Sequence, residues 1–356
     1  MTSRERVLRT FAFEKTDRVA MQYDANAAVE QRLAAALGVG AAADVREEIR
    51  RALGIDMRQV YAEYKGPKLF ADVPGLQTDA LDGFRMRYIE NRFGGYWDFC
   101  EFPLQNAAPE QIAEWPMPDP DDFDYATIGG QLAYYDGFAI VAGNAGICDI
   151  INGVGRLMGM EGVLIALAER DPATLHHIGR RVSWQLGMLE RMIARARCRI
   201  DYIWMGEDLG TQIAPLISPD LYRDVMKPFH KRFADFAKSR NLPLMAHSCG
   251  ASSWAYEDFI EIGVRAVDTL QPEARDMSPR SLKERFGGRL AFHGCISTAG
   301  TLVSGTPEEV RATVRETLDI MTPGGGYMMS PSHSIQDNTP VENIIAMYDE
   351  ARRYPL

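Results

Sequence analysis

A chain of 356 residues, 46% apolar and 25% charged, has ample material for a large core, and its formal net charge of -10 excludes nucleic acid and anionic membrane surfaces as partners. Five cysteines, odd in number and without framework spacing, point to free thiols in a reducing compartment. The charged start, Met1-Thr2-Ser3-Arg4-Glu5-Arg6, lacks the apolar stretch of a secretory signal, and no run is long and apolar enough to span a bilayer, so the expected location is the cytoplasm.

Residues 3–13 predict a short amphipathic helix with Val7, Leu8, Phe11 and Phe13 on its apolar side. Val19 to Tyr23 reads as the first strand, followed by helices over 27–37 and from Asp44, an N-cap, to Leu53. Met57 to Tyr64 reads as a second strand. Seven prolines interrupt residues 65–125, and between them Phe84–Ile89 and Gly95–Phe99 read as hairpin strands, an excursion from the main fold. Trp115-Pro116-Met117-Pro118-Asp119-Pro120 reads as an ordered extended connector.

From Phe138 onward strands and helices alternate. Strands are expected near 138–143, 202–206, 242–246, 266–270, 290–293 and 327–330. Helices are expected near 151–169, 172–197, 219–239, 252–262, 279–286, 307–321 and 340–352. Asp171-Pro172, Ser218-Pro219, Ser278-Pro279, Thr306-Pro307 and Thr339-Pro340 each put a side-chain acceptor at an N-cap and a proline where its missing N–H costs nothing. Thr306 with Glu309, and Thr339 with Glu342, have capping-box spacing. About eight short buried strands separated by helices predict an α/β fold. The expected architecture is a closed (β/α)8 TIM barrel of one domain over 1–356, with N-terminal helices and the hairpin region at about 65–125 inserted. No Gly-x-Gly-x-x-Gly follows the first strand, which argues against a dinucleotide-binding sheet.

In such a barrel the active site lies at the C-terminal ends of the strands. Those positions hold Gln22, Tyr23 and Asp24; Asn144; Glu207 and Asp208; His247 and Cys249; Gln271; His293 and Cys295; Ser332 and His333. His176, His177 and His230 fall inside helices and read as ordinary helix residues. Ala246-His247-Ser248-Cys249-Gly250 is the central stretch, because imidazole and thiolate two residues apart past a strand end suit zinc. Cys249 is read as functional rather than as a small buried hydrophobe. Cys295 is a ligand or a small residue in the turn after Gly294. Glu207 and Asp208 act in the site or cap the next helix. His333 is read as functional and His293 as structural. Tyr23, Asp24, Asn144, Trp204 and Gln271 are candidate substrate contacts, although barrel packing explains the two aromatics equally well. Gly324-Gly325-Gly326 lacks a following Lys-Ser/Thr and reads as a turn.

Several segments carry a resemblance. They are Thr16-Asp17-Arg18-Val19, Trp115 to Tyr125, Phe286-Gly287, Gly305 to Val310, Pro323 to Tyr327 through Ser332-His333, and Thr339-Pro340-Val341-Glu342-Asn343-Ile344. Together they resemble the uroporphyrinogen decarboxylase superfamily along nearly the whole chain, which implies the same barrel. Two chemistries follow from the resemblance. True decarboxylases are metal-free and grip substrate carboxylates with an arginine-bearing segment, where this chain has Met21-Gln22-Tyr23-Asp24-Ala25-Asn26, so a porphyrin substrate is disfavoured. The other branch comprises zinc-dependent methyltransferases that work with corrinoid proteins, and its signature is similar to His247-x-Cys249-Gly250.

The expected function is therefore zinc-dependent transfer of a methyl group between a small methylated substrate, a methoxylated compound or a thiol, and the cobalt of a corrinoid protein. A metal-free decarboxylase of a smaller acid, with Asp24 or Asp208 stabilising a protonated intermediate near His333, is the alternative. A non-enzymatic corrinoid or tetrapyrrole binder is the third. His333 stands where the coenzyme M branch carries a Cys, so His247, Cys249 and His333 are expected around one zinc, with Cys295 a lower-ranked ligand and Glu207 or Asp208 completing or orienting the site. A homodimer is left open as the assembly.

Overall fold

The computed structural model describes residues 1–91 and 95–356. Eight parallel strands form its sheet: β1 Ala20–Met21, β2 Met57–Val60, β3 Ala139–Gly143, β4 Tyr202–Gly206, β5 Leu244–His247, β6 Ala266–Leu270, β7 Ala291–Ile296 and β8 Tyr327–Pro331. In the sheet β2 to β8 lie side by side in chain order, and β1 pairs with β8. The seam between β1 and β2 is joined at Asp56, whose N–H donates to Met21 O at 2.9 Å while its Oδ2 accepts from Met21 N at 2.9 Å. Asp56 is fully buried and tolerated there because Arg6 (2.6 Å) and Arg18 (2.7 Å) neutralise it. The (β/α)8 barrel expected from the alternation is the fold observed.

Strand periodicity divides the barrel interior into two tiers. Ala20, Met57, Val141, Tyr202, Met245, Ala266, Ala291 and Met328 form an apolar cluster. The helix Ser3–Phe11 plugs the bottom of this tier with Val7 and Phe11, the Phe11 ring 5.1 Å from that of Tyr202. Two residues further along each strand, on the same inward face, come Gln22, Gln59, Gly143, Trp204, His247, Asp268, His293 and Ser330. The lower tier is oil and the upper tier is mostly polar. That gradient directs chemistry to the C-terminal end.

The outer layer departs from expectation in instructive places. The helix expected over 151–169 breaks into Ile151–Met158 and Met160–Glu169 at Gly159, whose φ of 81° no helix accommodates. Asp171, Ser218, Ser278 and Thr306 cap as expected, Thr306 within a full capping box with Glu309. Thr339 does not. Its N–H donates to Gln336 O at 3.0 Å while its hydroxyl finds no partner, and the helix Val341–Arg353 begins one residue late with Pro340 as its uncapped N-cap. The excursion is a three-stranded antiparallel sheet, Gln77–Thr78, Arg85–Ile89 and Tyr96–Glu101. The proline-rich connector is pinned, with Trp115 Nε1 donating to Asp82 O and Arg180 donating to Trp115 O. No single helix among the described residues is long and apolar enough to cross a membrane.

One buried helix residue has a measurable consequence. His177 lies in the helix Pro172–Ala196, where burial, reinforced by the Arg181 charge, brings its pKa down to about 4. The unfolded chain takes up this proton near pH 6.5 and the folded chain near pH 4. Stability from this group is therefore complete above pH ~6.5 and is lost as the pH falls toward ~4, by about 3 kcal/mol in total. Urea midpoints measured at pH 7 and pH 4.5 are expected to converge in a His177→Leu variant.

Candidate active site

β5 ends at His247, and the chain then turns sharply. Gly250 sits at φ 70°, and a Cβ there would lie 2.3 Å from Gly210 O, so only glycine lets the turn pass the loop after β4. Gly206 is equally constrained, because its Cβ would meet Ala145 O at 1.9 Å. These close approaches bring the ends of β3, β4 and β5 together. Gly250 N–H then donates to Gln271 Oε1 (2.7 Å) and Cys249 N–H to Asp208 Oδ1 (2.9 Å).

The result is one compact cluster. His247 Nε2 lies 3.4 Å from Cys249 Sγ and 3.5 Å from Asp208 Oδ1. Ligand atoms of Asp208, His247 and Cys249 all fall within 4.8 Å of one another, and this is the one group among the described residues that could hold a metal. Two bonds of about 2.0–2.3 Å at a tetrahedral angle place their donor atoms about 3.5 Å apart, so the observed spacing suits zinc. Each member is held from behind. His247 Nδ1 is 2.8 Å from Asp268 Oδ2, and Asp208 Oδ2 accepts from Asn152 Nδ2 at 2.8 Å. A carboxylate on the far imidazole nitrogen is the usual support of a ligating histidine.

Electrostatics bind the cluster tightly. Burial raises the Asp208 and Asp268 carboxyls, but their histidine partners outweigh it and hold both well below the ordinary range. Burial opposes charge on His247, yet hydrogen bonds with Asp208 and Asp268 hold its protonation well above the usual value. Burial raises the Cys249 thiol, offset only in part by His247.

Several expected residues stand elsewhere. Glu207 is 1% exposed and committed to the start of the helix Ile151–Met158, accepting from Ile150 N–H and Ile151 N–H at 2.9 Å each, with His230 Nε2 at 3.3 Å. It supports the site from behind, and His230, read as an ordinary helix residue, is its partner. His333 is exposed on the loop after β8 with Nδ1 3.2 Å from Ser334 O, outside the cluster, and Asp208 stands beside His247 and Cys249 instead. Cys295 is 2% exposed within the outer core, its thiol raised by burial, and it too lies outside the cluster. Tyr23 alternates outward from Gln22 and packs against Tyr348. Asn144 is exposed and its Oδ1 closes a turn with Gly146 N–H, and Asp24 is exposed beyond β1. Gln271 latches the Gly250 turn, whereas Trp204 faces the barrel interior.

Asp268 and Asn152 were not foreseen. An acid two residues past Ala266 in an otherwise apolar strand was the available signal for Asp268. Asn152 carried none, since its role depends on the β3 and β4 loops meeting.

Comparisons with known proteins bear on this geometry. Residues 201–354, which contain the whole ligand cluster, match the family model described as uroporphyrinogen decarboxylase. A uroporphyrinogen decarboxylase of Thioalkalivibrio sulfidiphilus is 22% identical over 192 residues, covering 51% of this chain and 50% of that protein. One from Burkholderia thailandensis is 29% identical over 113 residues, covering 32% and 29%. The chain thus aligns with half or less of the length of these curated relatives. A solved structure titled methyltransferase from Methanosarcina mazei superposes with a TM-score of 0.69 at 17% identity, covering 99% of this chain and 98% of that one, a likeness of fold.

Proposed function

We propose that this chain, whose residues 201–354 carry the resemblance to the uroporphyrinogen decarboxylase family, is a zinc-dependent methyltransferase. It moves a methyl group between a small methoxylated compound or thiol and a corrinoid protein. The observation that carries the reading is the Asp208–His247–Cys249 cluster, whose donor spacing and Asp268 support fit a three-ligand catalytic zinc with one position left for substrate. When bound, zinc supplies Lewis-acid polarisation of the substrate's oxygen or sulfur. The protein's own part is preorganisation. Asp268 holds His247 Nδ1–H so that Nε2 faces the site, while Asn152 and the Cys249 N–H hold Asp208 in place. The corrinoid partner is proposed from the resemblance to the methyltransferase branch.

Purified protein is expected to carry one zinc per chain, and its removal by chelator is expected to lower methyl transfer to free cobalamin by more than a hundredfold, restored by zinc. The assay is the change in the cobalamin spectrum with a panel of methoxylated aromatics and methylated thiols. A metal-free decarboxylase remains the second reading, favoured by the names of the relatives. Carbon dioxide release by zinc-stripped protein, without zinc binding at Cys249, would establish it in place of methyl transfer.

A further inference from the structure

Two polar atoms of the upper tier are buried without a hydrogen-bond partner, His293 Nε2 and Trp204 Nε1. Their side chains reach inward from β7 and β4, which stand three places apart in the sheet, and the rings meet near edge-to-face with centroids 6.5 Å apart. Buried polar groups are almost always paired, so two on facing rings beside a ligand cluster mark a place built for a polar guest. Asp268 ties this place to the cluster, since its two oxygens contact His293 Nδ1 and His247 Nδ1.

The partners decide what kind of guest. The Asp268 carboxylate only accepts, so His293 Nδ1 carries a proton toward it, and in that tautomer of the imidazole Nε2 is an acceptor. Indole Nε1–H only donates. We propose that His293 and Trp204 form a subsite for a hydroxyl group of the substrate, the oxygen accepting from Trp204 and the O–H donating to His293. Alcohols and phenols supply both functions through one oxygen, whereas ethers and carboxylates lack the donor. This assigns His293 to binding, and it rests on the reading above only in placing the substrate at this end of the barrel.

The test compares phenol with its methyl ether, anisole, on the full chain by ¹H–¹⁵N spectra, with the Trp204 indole resonance assigned from Trp204→Phe. Phenol is expected to shift that resonance saturably and to bind at least about fivefold more tightly than anisole. Trp204→Phe and His293→Asn, whose amide keeps a donor toward Asp268 but has no atom at the Nε2 position, are each expected to reduce phenol to the anisole level. Equal affinities in the wild type, or unchanged phenol binding in both variants, overturn the proposal. So does a Trp204 resonance that phenol does not move, which would leave an ordered water only. Zinc titration of the same proteins separates the two readings: discrimination without zinc binding removes the metal site and leaves the subsite, and the reverse removes the subsite.

Discussion

Cys249→Ser and His247→Ala are each expected to weaken zinc binding by more than a hundredfold and to abolish methyl transfer, and Asp268→Asn to weaken both by about 10–100-fold. With three protein ligands, loss of the thiolate or the imidazole leaves two, too few to hold a catalytic zinc against water. Asp268 touches no metal position. It orients His247 through Nδ1 at 2.8 Å, and its buried carboxylate also holds His293. Replacing it by Asn removes the charge while keeping the shape, so zinc affinity falls but the fold persists. Competition titration against a chromophoric chelator, with circular dichroism to confirm folding, checks all three. Unchanged affinity in both Cys249→Ser and His247→Ala would remove the cluster from consideration as a metal site.

The second large effect is on stability. Glu207→Ala is expected to destabilise the protein by about 3–5 kcal/mol, because it strips the partner from a buried histidine and leaves two helix N-terminal N–H groups unpaired. Ile150 N–H and Ile151 N–H donate to its two oxygens, and His230 stands at 3.3 Å, all out of reach of water. Glu207→Gln keeps one acceptor but turns an amide N–H₂ toward a backbone donor, so it is expected to cost about 1–3 kcal/mol. Urea denaturation measures both. If Glu207 were instead a zinc ligand, the Gln variant would lose metal affinity while keeping its midpoint.

The barrel was legible because its signals are local. Short apolar runs alternate with helical periodicity, and an N-cap acceptor followed by proline marks helix starts at Asp171, Ser218, Ser278 and Thr306, each satisfied within three or four residues. At Thr339 the same pattern does not cap, since the N-cap falls one residue later at Pro340 and the Thr339 hydroxyl is left without a partner. The break at Gly159 was missed for a related reason, since apolar periodicity runs on through it.

His247 and Cys249 were also evident from the sequence, as two soft donors at one strand end are neighbours whatever the rest of the chain does. The third member was not. Asp208, His333, Cys295 and Glu207 all follow strands at the same end of the barrel, and the sequence reading favours His333 as the third ligand, with Cys295 ranked below it. The tertiary structure brings Asp208 to His247 and Cys249, because β4 and β5 are adjacent and Gly210 and Gly250 let their loops touch, whereas His333 is carried to an exposed loop. Asp268 and His293 belong to the same lesson: strand alternation turns them inward, but the register of β5, β6 and β7 makes one carboxylate serve two histidines. Local sequence determines which residues reach the mouth of a barrel, and strand order with loop packing decides which of them meet.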